Sequence, residues 1–287
     1  MAGAASIAND EPGFMRLLLA RRSVLVALII FVIVVVLCVA APLIAPADPA
    51  KMAVRARLSP PFDAYLLGAD AFGRDVASRL LYAGRVSLTI GAGVALLSTV
   101  VGVLIGLLAG FYRRLDGPLS RLIDAMMAFP DILLSIALVS ILGGSMINVI
   151  LALSIVYAPR FARIGRASTL VIRELPFVEA ARALGSSTRY IITNHILRNI
   201  VSPIIVQATF IFAYAMLAEA GLSFLGVGVD PSTPTWGTMI NEGRQYIDQA
   251  AFLIFFPGIA ISISVLSLQL IGDGLRDALD PRLSKEL

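Results

Sequence analysis

The sequence predicts an all-α membrane protein with six transmembrane helices and both termini in the cytoplasm, and three observations carry that prediction. Charged residues make up only 15% of the 287 and hydrophobic residues 58%, where a soluble domain has about a quarter charged; the mean hydropathy is +0.89. Uncharged apolar runs lie at 24–41, 86–112, 132–159, 200–218 and 250–271, each near or above the roughly 18 residues that a spanning helix needs. Basic residues are also unevenly placed. With the N-terminus inside, the inner segments hold three before the first span, three around Arg113 to Arg121, seven from Arg160 to Arg198 and three in the tail, making 16 of 23, as the positive-inside bias requires. The pI near 9.5 therefore reflects topology. Positive charge dispersed at span ends suits a lipid surface and gives no continuous nucleic-acid footprint.

Residues 1–22 form a short cytoplasmic lead and 23–41 the first span. Arg21, Arg22 and the small residues at the far end of that span imitate a secretory signal. The run nevertheless exceeds the usual ~7–15-residue core of a signal and more spans follow, so it reads as a retained anchor. Cys38, the single cysteine, supplies neither a disulfide framework nor a thiolate cluster and is assigned to packing. Pro42, Pro46 and Pro49 stop the helix and open an extracytoplasmic segment over 42–85. Near its end, Val76, Leu80 and Leu81 share a helical face and predict a short interfacial helix.

Residues 86–272 hold the other five spans. In the second, Ser98, Gly102, Gly106 and Gly110 recur every four residues, a small-residue stripe that lets another helix approach closely. The run at 132–159 is divided by the turn signal Gly143-Gly144-Ser145; starting the third span near Arg121 leaves about 20 residues on each side. Beyond the fourth span, Arg160, Arg163 and Arg166 are expected at lipid headgroups. Pro176 suits a helix start, Gly185 a C-terminal cap, and Ser186 or Ser187 the cap of a second helix through Arg189, Ile191, Ile192 and Ile196. The apolar residues of this cytoplasmic helical hairpin are too few for a core of their own, so they need another surface. Residues 273–287 form the cytoplasmic tail.

Several chemistries find little machinery in the sequence. A phosphate-binding loop needs Gly-Lys, yet Lys51 and Lys285 are the only lysines and neither follows glycine. Ser223, in Gly221-Leu222-Ser223, lies at the opposite membrane face from His195, the only histidine, so no serine nucleophile has its base. One histidine and one cysteine do not make a metal site. Ion coupling would call on Asp124, Asp131 or Glu219, all near span ends, where helix capping or solvation accounts for them. Uphill transport would therefore draw its energy from another polypeptide.

Glu179-Ala180-Ala181, Gly185 and His195-Ile196-Leu197 resemble the EAA loop of permease subunits in binding-protein-dependent ABC importers. LLGADAFGRDVASRLLYAGRVSLTIG, AEAGLSFLGVGVDPSTPTWG and GDGLRDALDPRL are similar to the C-type permease of the dipeptide/oligopeptide/nickel group. In one respect the chain departs: the family continues to proline where Arg198 stands. The resemblance implies a type I ABC importer permease fold, forming half of a translocation path in a bacterial inner membrane. It further implies a homologous B-type permease, two ATP-binding cassette subunits and an extracytoplasmic solute-binding protein as partners. The chain itself would bind no cofactor, with ATP and magnesium held on the ATPase subunits.

In that family the EAA helix docks in a cleft of the ATPase. The resemblance thus assigns the loop 167–198 to coupling, with Ala180, Ala181 and Leu184 packing in the cleft, Glu179 and Arg182 orienting it, and Gly185 making the turn. Asp230 and Trp236, on outer segments, are expected to contact the binding protein. Peptides are the expected substrate and nickel or another small solute the alternative. A secondary transporter that works without any ATPase, and a membrane scaffold without solute flux, remain the rival classes.

Overall fold

The computed structural model describes residues 21–279, so the lead before Arg21 and the tail beyond Leu279 lie outside the described residues. Besides two short 3-10 turns, Val54–Ala56 and Arg244–Tyr246, the described residues contain ten helices: α1 (Arg22–Val39), α2 (Ala41–Ile44), α3 (Val76–Phe111), α4 (Arg113–Met127), α5 (Asp131–Leu142), α6 (Met146–Ile172), α7 (Pro176–Ala183), α8 (Thr188–Phe224), α9 (Trp236–Gly243) and α10 (Phe252–Leu279). Five of them, α1, α3, α6, α8 and α10, are long and apolar enough to cross a membrane, and α4 with α5 forms a sixth, broken span.

Two boundaries differ from the sequence reading. The short interfacial helix expected before Arg85 is instead the first part of the 36-residue α3. Asp75 caps it, accepting from the backbone N–H of Ser78 at 2.9 Å and of Ala77 at 3.3 Å. At 1.5 Å per residue α3 is about 54 Å long and projects well beyond a ~30 Å hydrocarbon layer. The third span is not one helix from Arg121, because α4 and α5 meet at 95°. Pro130, at ψ 127°, and the steric restriction it places on Phe129 end α4 there. The turn at 143–145 does separate α5 from α6: Gly143 takes φ +91° and Ser145 caps α6.

The bundle centres on α3, which packs most extensively against α6. Ser98 is fully buried and returns its hydroxyl to the Val94 carbonyl at 2.6 Å. A Cβ on Gly102 would lie 2.3 Å from the Ala158 carbonyl oxygen, one on Gly106 2.6 Å from that of Ala162, and one on Gly110 2.6 Å from the Thr169 Cβ. The stripe thus meets a complementary small-residue row on α6, and backbone touches backbone. A second apolar cluster joins α1, α3, α8, α9 and α10 around Trp236, Met239, Leu253 and Leu268. Cys38 is buried within it, beside Gly84 and Trp236. Most of α1 is exposed, including Val26, Ile29 and Ile33, as expected of a span that faces lipid.

Candidate functional site

The cytoplasmic hairpin is built from local signals. Pro176 occupies the first turn of α7, where its missing N–H is no loss. Gly185 has φ +80°. Its N–H donates to the Arg182 carbonyl at 2.9 Å and that of Ser186 to the Ala181 carbonyl at 3.0 Å, the paired closure that requires a left-handed residue at this point. The Ser187 hydroxyl then accepts from the Tyr190 N–H at 3.3 Å and starts α8.

The two faces of α7 have different environments. Val178 and Ala181 are buried in the core that also holds Ile191 and Ile196, and Arg182 lies over the Phe111 ring at 5.6 Å. Phe177, Glu179, Ala180 and Leu184 point outward, and Leu184 is 86% exposed. Burial of Val178 sets the rotation of the helix, and Ala181, three residues on, shares its face. Ala181 and Arg182 therefore contact their own chain, which does not fit the placement of Ala181 in a partner's cleft. Val178 was missed because sequence reading weighted the Glu-Ala-Ala triplet and not the i, i+3 pair that anchors it.

At its start α8 carries a π-helical segment, Ile191–Leu197. Ile191 and Ile196 are both buried, and Ile200 and Ile204 continue the same face. Five residues separate the first two and four each of the next. Bonding from i to i+5 brings residues five apart onto one face, which an α-helix does not. The His195 ring sits between Phe177 at 5.8 Å and Tyr190 at 5.6 Å, tying α7 to this segment.

The three arginines of α6 are not free headgroup contacts. Arg160 pairs with Asp131, Arg163 with Asp124 at 2.9 Å and Arg166 with Asp116 at 2.5 Å. These contacts tie both limbs of the broken span to α6. Arg173, at the end of α6, donates to the Gly110 carbonyl at 2.7 Å. The Arg160 guanidinium also faces the rings of Tyr157 at 5.2 Å and Tyr214 at 5.3 Å. Lipid headgroups were expected here because Asp116, Asp124 and Asp131, seven or eight residues apart, share no register with arginines three apart until the 95° bend gathers them.

At the outer side, Trp236 is 2% exposed and its Nε1–H donates to the Leu80 carbonyl at 3.0 Å. It is a packing anchor and has no surface to offer a binding protein, which corrects that expectation. Asp230 is exposed in the loop between α8 and α9. Hydrogen bonding to Ser232, from side chain and then backbone, holds its carboxyl below the usual carboxylate range. The extracytoplasmic segment is fastened to α9 by charge. Arg74 pairs with Asp70 at 2.5 Å and Glu242 at 2.9 Å, and Arg79, only 3% exposed, pairs with Glu242 at 2.9 Å and Asp70 at 3.3 Å. Glu219 is buried, accepting from Ser223 Oγ at 2.7 Å and Ser87 Oγ at 3.3 Å. It links α8 to α3 and is no span-end cap.

Residues 102–285 match the family described as binding-protein-dependent transport system inner membrane component, and residues 13–61 match the N-terminal TM domain of oligopeptide transport permease C. A Brucella suis protein whose name places it in a peptide transport system is 51% identical over 94% of this chain and 92% of its own length. The di/tripeptide transport system permease protein DppC of Pseudomonas aeruginosa is 43% identical, over 89% of this chain and 87% of its own. The dipeptide transport system permease protein DppC of Haemophilus influenzae is 41% identical over 92% of each. Among solved structures, the inward-facing MetNI methionine ABC transporter has a chain of similar fold, with TM-score 0.57 and 21% identity over 70% of this chain and 96% of that one. The helical architecture, the hairpin and these matches agree, and the chain belongs to the family of binding-protein-dependent transport system inner membrane components, as a multi-pass ABC importer permease.

Proposed function

We propose that this chain is the C-type permease of an ATP-driven importer of di- and oligopeptides, forming half of the translocation path beside a homologous B-type permease. Peptide specificity is supported by relatives named for di- and tripeptide transport across almost their whole length. No Gly-Lys phosphate loop is present in the sequence, so ATP and magnesium belong to two partner ATPase subunits, and an extracytoplasmic binding protein delivers the peptide. Coupling runs through α7. The observation that carries this is its division into an anchored face, Val178 and Ala181, and an outward apolar face, Phe177, Ala180 and Leu184. A helix held rigidly on one side transmits displacement applied to the other. Asp230, on the exposed outer loop, is the remaining candidate for contact with the binding protein.

Leu184→Asp tests this in the reconstituted complex of both permeases, two ATPase subunits and binding protein. It places a charge on the docking face without touching the core. Peptide uptake is expected to fall at least tenfold while the chain inserts and folds normally. Uptake at the unsubstituted level would refute the coupling assignment. Ala181→Asp makes the contrast, because it buries a carboxylate and should instead lower the yield of folded chain.

A further inference from the structure

The pair formed by Arg160 and Asp131 lies near mid-length of the bundle. Arg160 is close to the midpoint of α6, about 14 residues or ~21 Å from its outer end and about 12 residues or ~18 Å from its inner end. An independent measure comes from α8. Tyr214, whose ring faces the Arg160 guanidinium at 5.3 Å, is about 16 residues, or ~24 Å, beyond the charged Arg198 at the inner end of that span. Both helices therefore place the guanidinium within the ~30 Å hydrocarbon layer. The uncharged part of α6 before Arg160 is itself about 21 Å long, too short to cross that layer alone.

The pair is nevertheless open on one side: the Arg160 and Asp131 side chains are 30% and 39% exposed and Tyr214 is 43% exposed. Charge at such depth does not face lipid cheaply; it faces a water-filled path or a polar partner. Tyr157, by contrast, is buried behind the guanidinium, so the cation is held from one side and open on the other. Two further pairs, Arg163 with Asp124 and Arg166 with Asp116, lie successively nearer the inner end of α6 and already fasten α4 to it. Neither has an aromatic ring over its guanidinium among the described residues.

We propose that Arg160, Asp131 and Tyr214 form a station for zwitterionic peptides within the translocation path, and this rests on the peptide-import reading above. Arg160 receives the terminal carboxylate, for which its planar fork is suited, Asp131 receives the terminal ammonium, and Tyr214 offers its ring to the chain between them. The pairing of Arg160 with Asp131 is the resting state. A peptide replaces the internal ion pair by two of the same chemistry and gives up the hydration of both its charged termini, which keeps the site weak enough to release it, as conduction requires of any site along a path. No covalent step is involved.

The test uses the complete complex, with binding protein, in proteoliposomes, and follows ATP-driven uptake of radiolabelled alanyl-alanine. R160Q and D131N are each expected to lower uptake at least tenfold while binding-protein-stimulated ATP hydrolysis stays within twofold. The double variant R160Q/D131N separates a station from a clamp. A clamp with both charges removed is close to neutral and recovers uptake, whereas a station stays defective. Recovery in the double variant overturns the proposal. A second readout does not depend on the folding of the charge variants. In Y214C, a small water-soluble methanethiosulfonate should label the new thiol in the assembled complex, and saturating alanyl-alanine should slow labelling at least threefold. A thiol inaccessible in every nucleotide state, or labelled at an unchanged rate, overturns it. A wild-type complex that imports another solute and no peptide defeats the peptide reading itself. In that case labelling of Y214C, slowed by that solute, would show the path placement to be independent.

Discussion

Gly106→Ala is the sharpest test of the packing between α3 and α6. The added Cβ would meet the Ala162 carbonyl oxygen at 2.6 Å, the Arg166 nitrogen at 2.9 Å and the Gly165 Cα at 3.0 Å. All three are backbone atoms of α6, so no side chain can turn aside. Relief requires the helices to separate by roughly 0.5–1 Å, and a gap of that size forfeits about a quarter to a half of each dispersion contact across it. Overpacking of this kind costs about 1–3 kcal/mol, offset by up to ~1 kcal/mol from the better helix propensity of alanine. A net loss of about 0–2 kcal/mol follows. Gly117, in α4, is the control, because a Cβ there meets nothing within 4 Å and only the propensity gain of up to ~1 kcal/mol acts. Denaturant or thermal unfolding of the purified chain in mild detergent should move in opposite directions for the two variants. Equal or greater stability of Gly106→Ala relative to Gly117→Ala would refute the close approach of these helices.

Trp236→Ala should destabilise the chain by about 3–5 kcal/mol, the range for removing a fully packed aromatic side chain, read from the same unfolding curves. A cross-linker placed at that position in the native complex should fail to capture the binding protein. Glu242→Gln weakens the partner of both Arg74 and Arg79. Because Glu242 is itself 31% exposed, the cost should be about 1–3 kcal/mol, below the ~3–5 kcal/mol of a fully buried pair. Limited proteolysis should then cut the extracytoplasmic segment at 42–75 faster than in the wild type.

The spans were legible because a bilayer imposes long uncharged runs, and the hairpin because proline, glycine and serine act locally. What escaped was set by rotation and by contact at a distance. The break at Pro130 was present as a residue before proline, Phe129, but the apolar run following it concealed the bend. The pairing of Arg160, Arg163 and Arg166 with aspartates could not be read because matching spacings do not exist along the chain; the bend creates them. Trp236 looked like a surface residue on an outer segment. Only the chain reversal before α9, fixed by the capping of Thr235 and Thr238, turns it onto Leu80. For α7, composition identified the helix, and the buried face was decided by the pair Val178 and Ala181.

Arg198 stands where the related motif carries proline, and the π-helical segment supplies the physical reason that this is tolerated. A proline in a helix removes the N–H that would bond four residues back and crowds that carbonyl, so the usual register is broken at that point. Here the register is already broken, because Ile191–Leu197 bonds five residues apart and ends immediately before Arg198. The interruption between hairpin and span is reached here without a proline. Arg198 is exposed and makes no side-chain hydrogen bond among the described residues, so its replacement removes no side-chain hydrogen bond. Arg198→Pro should therefore cost well under the ~3 kcal/mol of a proline in a regular helix interior, whereas Gln207→Pro, within the regular part of α8, should cost that amount or more. Unfolding of the two variants in detergent measures the difference. Equal destabilisation would mean that the helix at Arg198 is as regular as at Gln207, and that the five-residue interval between Ile191 and Ile196 is accommodated in some other way.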